Sequence, residues 1–154
     1  MTRLAFRLVK ADRAATAFDG EGARRLGGRW NSPGTRMVYT AESLSLAQLE
    51  LLVHFERRSA LGRYRLVVAE FPTELARPLE DLYALPEFWD ARPPARSSQI
   101  VGDRWIREGP SAVVSVPTVI TPGERNLLFN PEHPDFRHVQ LRPPVEFRFD
   151  ERLG

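Results

Sequence analysis

The chain has no cysteine in its 154 residues. That excludes a disulfide framework, a thiolate nucleophile and cysteine metal ligands. Three histidines remain as nitrogen ligands; they lack metal-like spacing, so no metal is expected. Lysine is nearly missing: Lys10 is the only one, and arginine carries almost all the positive charge. No run of about 18 apolar residues occurs, so no membrane span is expected. The start, Met1 to Arg7, has neither the apolar stretch nor the small-residue cleavage site of a secretory leader. A cytoplasmic protein is the expectation. There is no GxGxxG, no P-loop lysine and no Gly-x-Ser-x-Gly elbow, which argues against the common dinucleotide fingerprints and against a hydrolase triad. A basic stripe is also missing: the net charge is +2 and the arginines alternate with acids. Direct nucleic-acid binding is therefore not expected.

What is present fits one domain, 1–154, without repeats or a linker. A chain this long buries roughly 68–70% of its unfolded surface, so it needs no covalent staple. Leu4 to Val9, Met37 to Thr40, Tyr64 to Phe71 and Ala112 to Val116 read as strands. Val139 to Leu141 and Val145 to Phe149 read as closing strands. Five glycines between Asp19 and Gly34 mark a loop, and 126–136 reads as turn-rich. Ser45 with Gln48 reads as a capping box opening a helix over 46–57, with Leu46, Leu49 and Val53 on its apolar face. A second helix is expected over 98–108, with Ile100, Val101, Trp105 and Ile106 as contacts. Short strands in irregular order with two or three helices indicate α+β rather than a doubly wound sheet.

The densest chemical signal is Gly27-Gly28-Arg29-Trp30-Asn31. Two glycines permit a sharp turn or close approach to a ligand. Arg29, Trp30 and Asn31 then supply a phosphate fork, a stacking face and an amide. The same residues would equally make a tight loop with a solvated arginine and a core tryptophan. Glu50 lies about 40° around its helix from Leu46 and about 60° from Val53, so the carboxylate sits against the apolar face. It either snorkels to water or is held in a cleft for use. His54, one turn on, is an acid/base partner for it or a simple helix contact. Tyr39 sits mid-strand, where packing is the usual role. Ser111, Ser115 and Thr118 offer hydroxyls near one strand. Asn126, Asn130 and His133 read as ties within a proline-rich turn.

Taken in order, these segments resemble the RES domain, the toxin half of Xre–RES toxin–antitoxin pairs. The stretches that carry the resemblance are Phe6-Arg7-Leu8-Val9, Gly22-Ala23 with Gly27 to Asn31, Val38-Tyr39-Thr40-Ala41, Ala47 with Glu50, Val116-Pro117-Thr118, and Asn126-Leu127-Leu128 running into Asn130 to Phe136. The family takes its name from an Arg, a Glu and a Ser. Arg29 and Glu50 resemble the first two; Thr118 stands where the serine would fall, which keeps the hydroxyl but stiffens the side chain.

The resemblance implies an ADP-ribosyltransferase-like α+β fold, similar to that of diphtheria toxin, with small split antiparallel sheets and flanking helices around an NAD cleft. It implies cleavage of NAD at the nicotinamide–ribose bond, with ADP-ribose passed to a cellular protein, to water or to phosphate. NAD would be the substrate, and no further cofactor is implied. Glu50 would stabilise the oxocarbenium-like state, Arg29 would grip the pyrophosphate or orient the ribose, and Tyr39 would pack on the nicotinamide. Thr118, Arg7, Trp30, Asn31 and His54 complete the implied NAD contacts. The implied partner is an Xre-like antitoxin covering the site, anchored at Arg29 and Arg7, with a dimer in the complex as a further expectation. A nucleic-acid-acting toxin and a non-catalytic nucleotide sensor are the competing readings.

Overall fold

A computed structural model describes residues 1–54 and 62–153. The longest pairing joins β1 (Thr2–Lys10) to β3 (Tyr64–Pro72), antiparallel from Thr2 opposite Pro72 to Lys10 opposite Tyr64. A second block contains β2 (Val38–Ala41), β4 (Ala76–Pro78), β5 (Val113–Pro117) and β6 (Arg125–Phe129). Within it β2 and β5 both run antiparallel to β6, and β4 runs parallel to β5. Two short strands, β7 (Gln140–Leu141) and β8 (Val145–Phe147), close the edge on β3. Phe149, expected at the end of that last strand, lies beyond it and packs edge-on against Tyr64 and Phe147.

Among the described residues the order is β4-β5-β6-β2-β1-β3-β7, with β8 also on β3. The two blocks meet at β1 and β2 through one register pair, Phe6 with Ala41. The expected split into two small sheets is therefore a single sheet, all but parted at one seam. The α+β class is as expected.

Both faces of the sheet are covered, which is why β5 is buried from Val113 to Val116. On one face Phe129 makes edge-on contacts with Phe18 and Phe71, each at 5.4 Å between ring centres. On the other, Val114, Val116 and Leu128 pack with Trp30 and Trp105. Trp105 comes from α4 (Arg96–Glu108), and its indole N–H donates to Ser111 Oγ at 3.0 Å. Of the contacts expected on that helix, Ile100 instead faces solvent.

The remaining helices are α1 (Glu21–Leu26), α2 (Leu44–Leu52) and α3 (Leu79–Leu82). The glycine-rich stretch thus contains a helix: Gly20 and Gly27, both at positive φ, bound it rather than dissolve it. The cap of α2 is Ser43, whose Oγ accepts from Leu46 N at 3.1 Å; Ser45 is exposed inside the first turn. The buried face is Leu46 and Ala47 against Leu8 and Ala41. Leu49 and Val53, read as part of it, are 41% and 60% exposed. The expected end of this helix over 55–57 lies outside the described residues. The expected turn over 126–136 is strand β6 followed by a 3-10 turn, Pro134–His138. Among the described residues no helix is long and apolar enough to cross a membrane.

Candidate active site

A cleft of about 650 Å³ opens where the two blocks of the sheet join. It draws on Arg7 of β1, Tyr39 of β2, Glu50 of α2, Asn126 of β6 and the 27–30 loop. Arg7 of β1 and Tyr39 of β2 both line it, beside the one register pair that these strands share.

The loop is held from two sides. Tyr39 reaches it from β2: its hydroxyl donates to Asn31 Oδ1 at 2.7 Å and accepts from Trp30 N at 2.9 Å. Burial pushes the Tyr39 hydroxyl well above the usual tyrosine range. From the other side, α4 contributes Gln99 Nε2, which donates to Gly28 O at 3.0 Å, and Asp103, which accepts from Ser32 N at 3.0 Å. The fit is close. A Cβ on Gly28 would stand 2.7 Å from Tyr39 Oη, and one on Gly102 would stand 1.6 Å from Trp30 O.

This arrangement divides the five-residue motif. Asn31 is fully buried and outside the cleft lining, and its amide nitrogen is spent on the carbonyls of Ala23, Ser32 and Thr35. Trp30 is 2% exposed and belongs to the core, with its edge reaching the cleft wall. Arg29 is the member that projects. Its Nη1 donates to Trp89 O at 2.9 Å and Ala91 O at 2.7 Å, tying the 84–95 segment to the cleft. Burial lowers its basicity, Glu50 opposes that, and nearby Arg92 adds to it.

Glu50 is held rather than solvated. Its Oε1 accepts from Thr118 Oγ1 and from Asn126 Nδ2, both at 2.7 Å. Thr118 is 4% exposed and its own oxygen accepts from Ile120 N at 3.2 Å. It stands behind the carboxylate, outside the cleft lining. Arg7 is half-buried; its Nη1 donates to Tyr39 O at 2.8 Å, while its Nε is buried without a partner among the described residues. Burial draws its pKa down to about 10, with Asp19 opposing. His54 is exposed at the rim.

The structure thus brings Arg7, Arg29, Tyr39, Glu50, His54 and one edge of Trp30 to one cleft, puts Thr118 directly behind Glu50, and leaves Asn31 in the scaffold. Sequence reasoning missed Asn126 and Arg92 as lining residues. Asn126 was read as a turn tie, and its strand setting, opposite Ala41 and Val116, was the unread signal. Arg92 sits in a segment with no periodicity to place it. Among the described lining residues Glu50 is the sole acid beside three arginines. Such a site suits a ligand with an anionic portion and a centre that turns cationic near Glu50. No described cluster of His, Asp and Glu has metal-binding geometry.

Comparison with known proteins finds relatives over nearly the whole chain. The RES domain family model matches residues 4–150. The chain is 39% identical over 158 residues to the Prs ADP-ribosylating toxin of Sphingobium sp., covering 99% of this chain and 98% of that protein. It is 34% identical over 152 residues to Toxin Res of Yersinia enterocolitica, covering 96% and 97%. A chain in the crystal structure of the M. tuberculosis MbcT–MbcA toxin–antitoxin complex superposes with a TM-score of 0.61 at 22% identity, over 96% of this chain and 85% of that one, and shares the fold. By the span and order of these matches, the chain belongs to the family of RES-domain toxins.

Proposed function

We propose that this protein is the toxin of a toxin–antitoxin pair and that it cleaves NAD between nicotinamide and ribose, passing the ADP-ribosyl group to a cellular protein. The observation that carries the reading is the fixed Glu50 carboxylate, gripped at 2.7 Å by Thr118 and Asn126, in a cleft with Arg7, Arg29 and Arg92. The C1′–N1 bond breaks, and its electron pair leaves with nicotinamide. Positive charge spreads over C1′ and the ring oxygen, where an ionised Glu50 stabilises it. The acceptor then adds to C1′ and loses its proton. Two of the three arginines offset the two charges of the pyrophosphate, and Tyr39 presents a ring on the cleft wall for the nicotinamide. Carboxylates supply such stabilisation most effectively when their hydrogen bonds are made in advance, as these are.

The name of one relative, an ADP-ribosylating toxin, supports transfer over simple hydrolysis. The action is placed in the cytoplasm, where NAD and the acceptor would be met. The solved complex that shares this fold supports a partner protein, and an Xre-like antitoxin would silence the enzyme by covering the cleft. Purified protein mixed with NAD is expected to release free nicotinamide. Cell lysate with labelled NAD is expected to yield one or a few labelled proteins. Nicotinamide without labelled protein would mean hydrolysis; no nicotinamide in either setting would overturn the reading.

A further inference from the structure

We infer that Asn126 is a positioning residue for Glu50 and, with the other end of its amide, a contact for one ribose hydroxyl of the substrate; this rests on the NAD-cleaving reading above. The argument starts from which way the amide must point. A carboxylate only accepts hydrogen bonds, so the group 2.7 Å from Glu50 Oε1 must be the amide nitrogen of Asn126. That fixes the flip and turns Oδ1 away from Glu50. Oδ1 is buried and has no partner among the described residues, although Asn126 lines the cleft. Buried carbonyl oxygens of side chains nearly always find a donor. What completes this one must be an O–H or N–H.

The backbone of Asn126 is already committed, since the residue pairs with Ala41 on one side and Val116 on the other. The side chain is therefore held at a fixed height above the sheet. With Thr118 on the same Oε1, Glu50 cannot rotate freely, and its Oε2 is left for the substrate. Glu50 Oε2 and Asn126 Oδ1 are then two separate acceptors that the described hydrogen bonds leave open. Two neighbouring donors suit such a pair, and the hydroxyls at C2′ and C3′ of a ribose are that. Arg7 Nε, a buried donor without a partner in the same cleft, is the complementary orphan. A hydroxyl both donates and accepts, so a ribose brings what each orphan lacks.

The test compares binding of carba-NAD, which keeps the hydroxyls and resists cleavage, with its 2′-deoxy and 3′-deoxy forms on the nicotinamide side, by calorimetry. The intact protein is expected to prefer carba-NAD by about 3- to 10-fold over each deoxy form. Asn126→Ala is expected to erase the preference for one hydroxyl and keep the other, which belongs to Glu50. Asn126→Leu, nearer the native volume, gives the same reading should the alanine variant not fold. If the intact protein shows no preference, or if the variant keeps both, the assignment is wrong. If the intact protein binds carba-NAD not at all and releases no nicotinamide, the NAD-cleaving reading itself is wrong.

Discussion

Arg7 carries a cost in stability that the substrate contact proposed for it would offset. A cation with a buried, unpartnered Nε, and with burial drawing its pKa down to about 10, is costly in the free protein. Replacing it with a similar apolar side chain relieves that cost. Arg7→Met is expected to raise the melting temperature, or leave it unchanged, while weakening NAD binding at least about 10-fold. Calorimetry in both modes checks this, and a variant that is less stable yet binds normally would place Arg7 in the scaffold. Tyr39 is the opposite case. Its hydroxyl makes two hydrogen bonds that shape the loop, so Tyr39→Phe is expected to cost about 1–3 kcal/mol. The raised pKa adds a sign to test. The hydroxyl's contribution is complete below its unfolded pKa near about 10 and falls as pH rises beyond it. Urea titrations from pH 8 to 11 are expected to show the gap between native and Tyr39→Phe narrowing at the alkaline end. At Thr118, the hydroxyl is what Glu50 uses. Thr118→Ser is expected to keep nicotinamide release, and Thr118→Val to lower it about 3- to 10-fold.

At the scale of elements, the sequence conveys periodicity well and contacts poorly. Strands β1, β2, β3 and β5 were legible because branched and aromatic residues run together there. The start of α2 was not: Ser43 and Ser45 both satisfy the capping preference, and only the backbone decides which one caps. The apolar face of α2 was misread for a related reason. Leu49 and Val53 fit a helical stripe, yet the sheet meets the helix at Leu46 and Ala47. Strand β6 hid behind the turn chemistry of Asn126 and Asn130, which concealed Asn126 as a lining residue of the cleft. Helix α4 against the 27–31 loop is a tertiary contact that no local pattern announces. Gly102 is its point of close approach, because a Cβ there would overlap Trp30 O at 1.6 Å. Gly102→Ala is therefore expected to destabilise the fold by about 3 kcal/mol, seen as a lower urea midpoint. The overlap disturbs Arg29 as well, so any folded remnant is expected to be nearly inactive. A Gly102→Ala variant of native stability would contradict this packing.

For the molecule as a whole, the cleft is a product of topology. One sheet runs through both blocks, but β1 and β2 share only Phe6 with Ala41, and the opening beside that pair gathers residues from positions 7 to 126. No stretch of sequence contains that seam. What the sequence does contain is the set of groups that converge there: Arg29 and Glu50 were identifiable as candidates from residue type and setting, and Tyr39 through the resemblance to the RES domain. The central claim is that the Glu50 carboxylate, held ready by Thr118 and Asn126, is what breaks the nicotinamide–ribose bond. The most direct measurement is free nicotinamide released from NAD by the native protein and by Glu50→Gln, which keeps shape and one acceptor oxygen but loses the charge. The account expects release by the native protein and a fall of at least about 100-fold in the variant, with the melting temperature nearly unchanged. A folded Glu50→Gln protein that releases nicotinamide at the native rate would contradict it.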